Sequence, residues 1–302
     1  MLAIIAPGQG AQTPGMLAPW IEDAEAKDLL IQWSDAIGLD LVHLGVHADA
    51  EEIKDTANAQ PLIVAAGLLS ARALGANGNF SLVAGHSVGE ITAAAIAGVL
   101  TPLDAMKLVR QRGVEMAKAA VLKPSGMAAI LGGDREVVLA SISAAGLVAA
   151  NDNGAGQIVA AGDLDALATL VIDGARVRPL AVAGAFHTSY MQPAVEPMRT
   201  LAASIHVNDA EVGVLSNKDG AVITDGREIV DRIVNQIANP VRWDLCMNTL
   251  ADEGVTGAIE VAPAGTLVGL IKRAVPTIEQ CALKSPAELT AAATFIASHG
   301  GK

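Results

Sequence analysis

Short unbroken apolar runs alternate along this chain with longer segments whose apolar positions recur every three to four residues. Leu2–Ala6 and 80–84 are of the first kind and predict buried strands. Segments 22–37, 58–73, 91–100 and 102–119 carry the longer period and predict helices. In 58–73, Leu62, Ala65, Ala66 and Leu69 share one face, with Asn58 near the start and Gly75 near the stop. Residues 75–79 read as a turn, and Pro102 falls in the first turn of its helix, where its missing N–H costs nothing. Between 126 and 184 the pattern changes. Strand 127–131, helix 134–145, strands 147–151 and 157–161, helix 164–172 and strand 177–183 follow in turn. That βαββαβ order predicts an inserted ferredoxin-like subdomain over 126–184. Beyond it come a helical stretch 189–204 and a strand 212–215 closed by the turn signal Ser216-Asn217-Lys218-Asp219-Gly220. Helices 227–237 and 244–253 flank Asn239-Pro240, then strand 257–261 and helix 265–273 follow, with a disordered tail expected from Gly300.

Strands alternating with helices on both sides of the insertion predict an α/β fold. Its large domain, 1–125 and 185–302, would hold a mainly parallel sheet covered by helices, a core like that of α/β-hydrolases. Hydrophobic residues make up 52% of the 302 positions, so a sizeable core is available; aromatics are only 2%, so Ala, Val, Leu and Ile must build it. With no aromatic strip to stack bases and a net charge of −12, the chain lacks the profile of a nucleic-acid binder. Cys246 and Cys281 have neither metal-ligand spacing nor a disulfide framework, which fits a reducing cytoplasm. Met1-Leu2-Ala3-Ile4-Ile5 has no basic flank and runs into Pro7-Gly8, so it reads as a strand rather than a signal peptide. Every apolar run is broken well before the ~18 residues of a membrane span, and a soluble protein is expected. No metal constellation, phosphate loop or dinucleotide fingerprint occurs, so no bound cofactor is expected.

The candidate chemistry concentrates at Gly85-His86-Ser87-Val88-Gly89-Glu90, between strand 80–84 and helix 91–100. Gly-x-Ser-x-Gly between a strand and a helix is the setting of a nucleophile elbow, a turn so tight that the flanking residues must lack bulk. The Val88 N–H and the new helix N-terminus would face a developing oxyanion. The same residues also suit a plain turn, with Ser87 as N-cap and Glu90 closing a capping box; the two roles are not exclusive. A serine hydroxyl needs a base. Of the six histidines, His43 and His47 sit among charges, His206 and His299 lie near helix ends, and His86, pointing away from Ser87, is a pocket wall rather than a base. His187 follows the last strand of the insertion, at a domain junction where clefts form. It is the candidate base, with a histidine packed at the hinge as the alternative. Asp152, Asp163, Asp165 and Asp173 lie between Ser87 and His187, none in a distinctive setting, so a main-chain carbonyl could orient His187 instead.

Five motifs line up in order: Ala6-Pro7-Gly8-Gln9-Gly10-Ala11-Gln12, the elbow, Arg110-Gln111-Arg112-Gly113, Gly184-Ala185-Phe186-His187, and Asn239-Pro240-Val241-Arg242-Trp243. Together, over essentially the whole chain, they resemble the malonyl-CoA:acyl-carrier-protein transacylases of bacterial fatty acid synthesis and, further off, the acyltransferase domains of polyketide synthases. The resemblance implies ping-pong transfer of a malonyl group from malonyl-CoA to the phosphopantetheine thiol of acyl carrier protein, through a malonyl-Ser87 ester, with His187 as general base. It implies an oxyanion hole from the N–H groups of Gln9 and Val88, a main-chain carbonyl within 239–242 orienting His187, and Arg112 on the malonyl carboxylate. A planar guanidinium suits that carboxylate independently, since it offers two parallel hydrogen bonds to a charge that is costly to bury alone. Phe186 resembles the malonyl-type rather than the methylmalonyl-type pattern. Arg242 stands where some such proteins carry glutamine, a harmless change if only the backbone matters. Because acyl carrier proteins in this resemblance are acidic, docking to so acidic a chain would need a local basic patch: Lys272, Arg273 and Lys284, with Lys107 and Arg110 behind them, against the alternative of solvated surface. A trans-acting polyketide-type acyltransferase, a serine hydrolase or thioesterase with the same elbow, and a non-catalytic scaffold are the competing readings. Arg112, with no placed acid between Ser87 and His187, separates transferase from hydrolase.

Overall fold

Every residue of Leu2–Ala6 (β1) is buried, because the strand serves two cores at once. Leu2, Ile4 and Ala6 point into one hydrophobic cluster while Ala3 and Ile5 point into another on the opposite face. Leu82–Gly85 (β2) divides likewise, with Val83 on one side and Leu82 and Ala84 on the other. The structure, a computed structural model, describes residues 1–75 and 79–300. The expected turn at 75–79 falls mostly outside the described residues, as does the expected tail beyond Gly300.

Further strands are β3 (Ser125–Gly132), β4 (Val148–Asp152), β5 (Gln157–Asp163), β6 (Ala175–Pro179), β7 (Gly213–Leu215), β8 (Val222–Ile223), β9 (Val241–Arg242), β10 (Gly257–Glu260) and β11 (Glu279–Ala282). Among the described residues they form two sheets. The larger runs β11-β10-β1-β2-β7-β8, parallel throughout except at the β7–β8 edge. The smaller runs β6-β3-β5-β4-β9. Its first four strands are antiparallel, with helices Arg135–Ala144 and Leu164–Thr169 between them, the expected βαββαβ order. The fifth strand corrects the expectation. β9 comes from outside 126–184 and pairs in parallel with β4 at Asn151 and Asp152, so a strand of the large domain completes the small sheet. A two-residue strand has no periodicity of its own; its pairing partner makes it a strand.

Helix Thr56–Leu74 is buried along most of its length and packs on Pro102–Ala120. Pro61 has no N–H to offer the carbonyl of Ala57, four residues back, and Arg110 Nη1 fills the gap at 2.8 Å. Across the same interface a Cβ on Gly113 would lie 2.9 Å from the Thr56 carbonyl oxygen, so glycine lets the helices close. This contact brings Arg112 under the elbow. Among the described residues six helices start at an aspartate N-cap (Asp23, Asp40, Asp55, Asp134, Asp163 and Asp225), each accepting a backbone N–H and contributing about 1 kcal/mol, which accounts for part of the acidic surplus. No described helix is long and apolar enough to cross a membrane.

Candidate active site

β2 ends at Gly85, and helix Gly89–Ile96 begins four residues later. The reversal is possible only without side chains at either end. A Cβ on Gly85 would sit 2.0 Å from the Gly89 carbonyl carbon, and one on Gly89 would sit 2.2 Å from the Ala6 oxygen. Between them Ser87 is held at φ 54°, a left-handed conformation that non-glycine residues adopt under constraint. The expected capping box is not formed. The N-cap is Val88, with no side-chain cap, because the Ser87 hydroxyl and the Glu90 carboxyl are both engaged elsewhere.

Ser87 Oγ lies 2.7 Å from His187 Nε2. His187 is also left-handed, at φ 60°, and almost wholly buried where the chain re-enters the large sheet's layer. Its Nδ1 donates to the main-chain carbonyl of Gln236 at 2.8 Å. A carbonyl only accepts, so Nδ1 carries the hydrogen and Nε2 keeps its lone pair toward the serine. The expected orienting carbonyl within 239–242 is thus displaced to Gln236, the last residue of helix Gly226–Gln236, whose carbonyl has no partner further along the helix. Asn239 bonds the same oxygen through its N–H at 3.2 Å, while the Arg242 side chain turns to Asp244, at 2.8 and 2.9 Å. None of the four aspartates reaches His187. Asp163 caps a helix with Asp165 in its first turn, Asp152 pairs with Arg135, and Asp173 is exposed.

Arg112 is 1% exposed, yet its guanidinium meets Ser87 Oγ through Nη2 at 3.3 Å. Nη1 donates to Gln60 Oε1 at 2.8 Å and Nη2 to Gln236 Oε1 at 2.9 Å; among the described residues Nε has no partner. The Gln236 amide then passes to Glu90 Oε2 at 2.5 Å, so a buried cation and a buried carboxyl share one amide. Burial pushes the Glu90 carboxyl up to about 8, against the pull of the Asn217 N–H, Arg112 and Gln236. Burial lowers Arg112 to about 10, which leaves it charged at neutral pH. Burial also draws the His187 imidazole down to about 3, the Arg112 charge acts in the same direction, and the Gln236 carbonyl opposes both.

Three more of the expected residues fall around one cavity with Ser87 and His187. Gln9, His86 and Phe186 line it, and β3 and β5 of the small sheet close the far side with Met127 and Val159. His86 Nε2 donates to Asn153 Oδ1 at 2.8 Å, and the ring lies edge-on to Trp243 and is held neutral by burial, a wall residue as expected. Gly8 makes room for it, since a Cβ there would lie 2.9 Å from His86 Nδ1. Among the described residues neither the Gln9 nor the Val88 N–H donates to a protein acceptor. Lys272, Arg273 and Lys284 are exposed; the first two end helix Leu267–Ala274, whose Leu267 and Leu270 line the cavity. Arg273 faces Arg176 of β6 across an adjoining groove. Lys107 and Arg110 do not join them, because Lys107 pairs with Asp104 and Arg110 is spent on Ala57. Sequence reasoning missed Gln60, Asn217 and Gln236. Asn217 was legible only as part of a turn signal, and Gln236 and Gln60 carried no local signal. Among the described residues no group of three or more His, Cys, Asp or Glu is arranged to hold a metal ion.

The Nε2 lone pair and the downward shift of His187 have a kinetic consequence. Neutral imidazole is the basic form, and it persists in the free enzyme down to about pH 3. The pH profile of kcat/KM, which reports the free enzyme, is therefore expected to show no acid limb near the ~6.5 of an ordinary histidine. A limb at that position would mean that another group supplies the base.

Fold and site together define an α/β protein with a tight strand–turn–helix elbow, where serine, histidine and a buried arginine meet at one oxygen. The acyl transferase domain family matches residues 4–292. The malonyl CoA-acyl carrier protein transacylase of Mycobacterium tuberculosis H37Rv is 51% identical over 296 residues, covering 96% of this chain and 98% of the relative. The Escherichia coli K12 protein of the same name is 36% identical over 307 residues, with 96% and 98% covered. A crystal structure of the M. tuberculosis protein superposes with a TM-score of 0.94 at 50% identity, covering 97% of this chain and 99% of that one. This chain belongs to the acyl transferase domain family, within the malonyl CoA-acyl carrier protein transacylases.

Proposed function

We propose that this protein moves a malonyl group from malonyl-CoA to the phosphopantetheine thiol of acyl carrier protein, for fatty acid synthesis, by a ping-pong route through a malonyl-Ser87 ester. The observation that carries this reading is the shared oxygen: Ser87 Oγ is within hydrogen-bond reach of both His187 Nε2 and Arg112 Nη2. In the first half-reaction Oγ attacks the thioester carbonyl and His187 Nε2 takes the hydroxyl proton. The tetrahedral oxyanion forms against the unengaged N–H groups of Gln9 and Val88. Collapse breaks the C–S bond, and the imidazolium returns its proton to the departing CoA thiolate. In the second half the carrier thiol gives its proton to Nε2 and attacks the ester, and Ser87 regains its hydrogen as it leaves. Arg112 holds the malonyl carboxylate throughout, with hydrogens now shared with Gln60, Gln236 and Ser87. Phe186 contributes an apolar wall beside it. No step requires a bound cofactor; CoA and phosphopantetheine arrive as substrates.

An intact-mass spectrum after brief incubation with malonyl-CoA and no acceptor tests the reading. The expected result is a gain of one malonyl group on Ser87, discharged by acyl carrier protein. Steady CoA release with no adduct would identify a hydrolase, and neither adduct nor CoA release would remove the donor.

Exposed Lys272, Arg273 and Lys284, with Arg176 across the groove from Arg273, form the docking patch in this reading. The Lys272→Glu/Arg273→Glu pair is expected to raise KM for acyl carrier protein roughly tenfold at low salt, less at high salt, with acylation by malonyl-CoA unchanged. An unchanged KM removes them from the interface.

A further inference from the structure

We infer that Asn217 is a positioning residue for the transfer reaction, its side-chain amide clamping both ends of the strained turn that carries Ser87. The inference rests on the reading of Ser87 as nucleophile. β2 and β7 pair in parallel as far as Ala84 opposite Leu215. There the ladder must stop, because the elbow swings the β2 backbone away toward helix Gly89–Ile96. Asn217, two residues beyond the end of β7 and wholly buried, supplies the missing rung. Its Nδ2 donates to the Gly85 carbonyl at 2.8 Å, and its Oδ1 accepts the Ser87 N–H at 2.8 Å. One side-chain amide thus replaces the main-chain acceptor and donor that a continuing strand would offer. Holding the Ser87 N–H fixes the peptide plane on one side of its N–Cα bond, the bond whose rotation stands at 54°.

The clamp is itself held on every side. The Asn217 N–H donates to Glu90 Oε1 at 2.5 Å, its carbonyl accepts the Arg242 N–H at 2.7 Å, and Oδ1 takes a second bond from Gln236 Nε2 at 3.1 Å. Gln236 Nε2 also reaches the Ser87 carbonyl at 3.2 Å, so the same amide pair governs both peptide groups of the serine. Asn217 contacts no position that substrate would occupy. Its removal should therefore misplace Oγ relative to His187 and leave the binding of malonyl-CoA intact.

Asn217→Ala and Asn217→Asp test this in the full chain, with rates expressed per folded protein from circular dichroism. For Asn217→Ala, kcat is expected to fall on the order of 10- to 100-fold while KM for malonyl-CoA stays within about twofold. Labelling of Ser87 by a fluorophosphonate, which needs no substrate recognition, should slow in parallel. Asn217→Asp keeps the acceptor but, ionised, loses the donor; protonated, it can again give a hydrogen to the Gly85 carbonyl. The groups facing position 217 are Glu90, Cys246 and Gln236, with the charges of Arg112 and Arg232 reaching Glu90. The ratio of its kcat to that of the unaltered protein should rise as pH falls from about 8 to about 6, a response that a purely structural residue would not give. If Asn217→Ala does not fold, this ratio decides alone. A kcat for Asn217→Ala within about twofold of the unaltered protein, a loss confined to KM, or a flat pH ratio would each overturn the inference. Failure of the unaltered protein to be labelled at Ser87 would instead sink the nucleophile on which it rests.

Discussion

Ser87→Ala is expected to abolish formation of the acyl-enzyme and to lower transfer on the order of 10⁶-fold, the size of loss seen when a serine nucleophile is deleted from an acyl-transfer site. The change removes only an oxygen, whose partners are His187 Nε2 and the second hydrogen bond of Arg112 Nη2. The elbow's other contacts, Ser87 N–H to Asn217 and Ser87 carbonyl to Gln236, are main-chain and survive. The fold should persist, so the loss is chemical. Mass spectrometry after exposure to malonyl-CoA decides: an adduct on the variant would place the nucleophile elsewhere.

Arg112→Ala should invert the protein's preference among acyl groups. Among the described residues the guanidinium has one Nε–H without a partner, and its Nη groups donate to the neutral amides of Gln60 and Gln236 and to Ser87, so a carboxylate entering beside Ser87 finds a cation with no carboxylate hydrogen-bonded to it. Removing the cation leaves the malonyl charge unpaired, at a cost of about 2–5 kcal/mol, or roughly 30- to 5,000-fold in malonyl kcat/KM. An acetyl group brings no charge and loses nothing there. The variant will also be less stable, since Gln60 and Gln236 lose a donor and Glu90 loses its nearest buried cation. The measurement is therefore the ratio of malonyl to acetyl transfer on one preparation, which does not depend on the folded fraction. Equal losses for both groups would show that Arg112 supports the fold and does not read the carboxylate.

The main lines of the fold were legible because they rest on local properties. β1 reads as an unbroken apolar run because both its faces are covered, and the βαββαβ order is visible because each element is long enough to show its period. The helix expected at 91–100 lies at Gly89–Ile96, and β8, β9, β11 and the helices Leu41–Val46 and Leu289–His299 have no counterpart among the expected elements. β11 is a half-buried edge strand with little alternation, and β9 exists only where β4 offers it a partner. For the last helix a signal was present in Ser285-Pro286-Ala287-Glu288, a formed capping box.

The site divides the same way. By itself the sequence determined that a serine stands in a turn tight enough to require glycine two residues away on either side, that a histidine follows the insertion, and that an arginine lies on the helix between. Steric exclusion and hydrophobic period act over a few residues and leave their mark there. Only the tertiary structure decided which polar groups meet. Ser87 finds His187 across 100 positions, Asn217 across 130 and Gln236 across 149. The orienting carbonyl fell to Gln236 rather than to 239–242 for the same reason: any residue offers a carbonyl, and the end of a helix, aimed by the packing of the whole domain, leaves one without an intrahelical partner in the right place. A buried hydrogen bond is chosen by geometry among many equivalent groups, and that choice is made after the chain has folded.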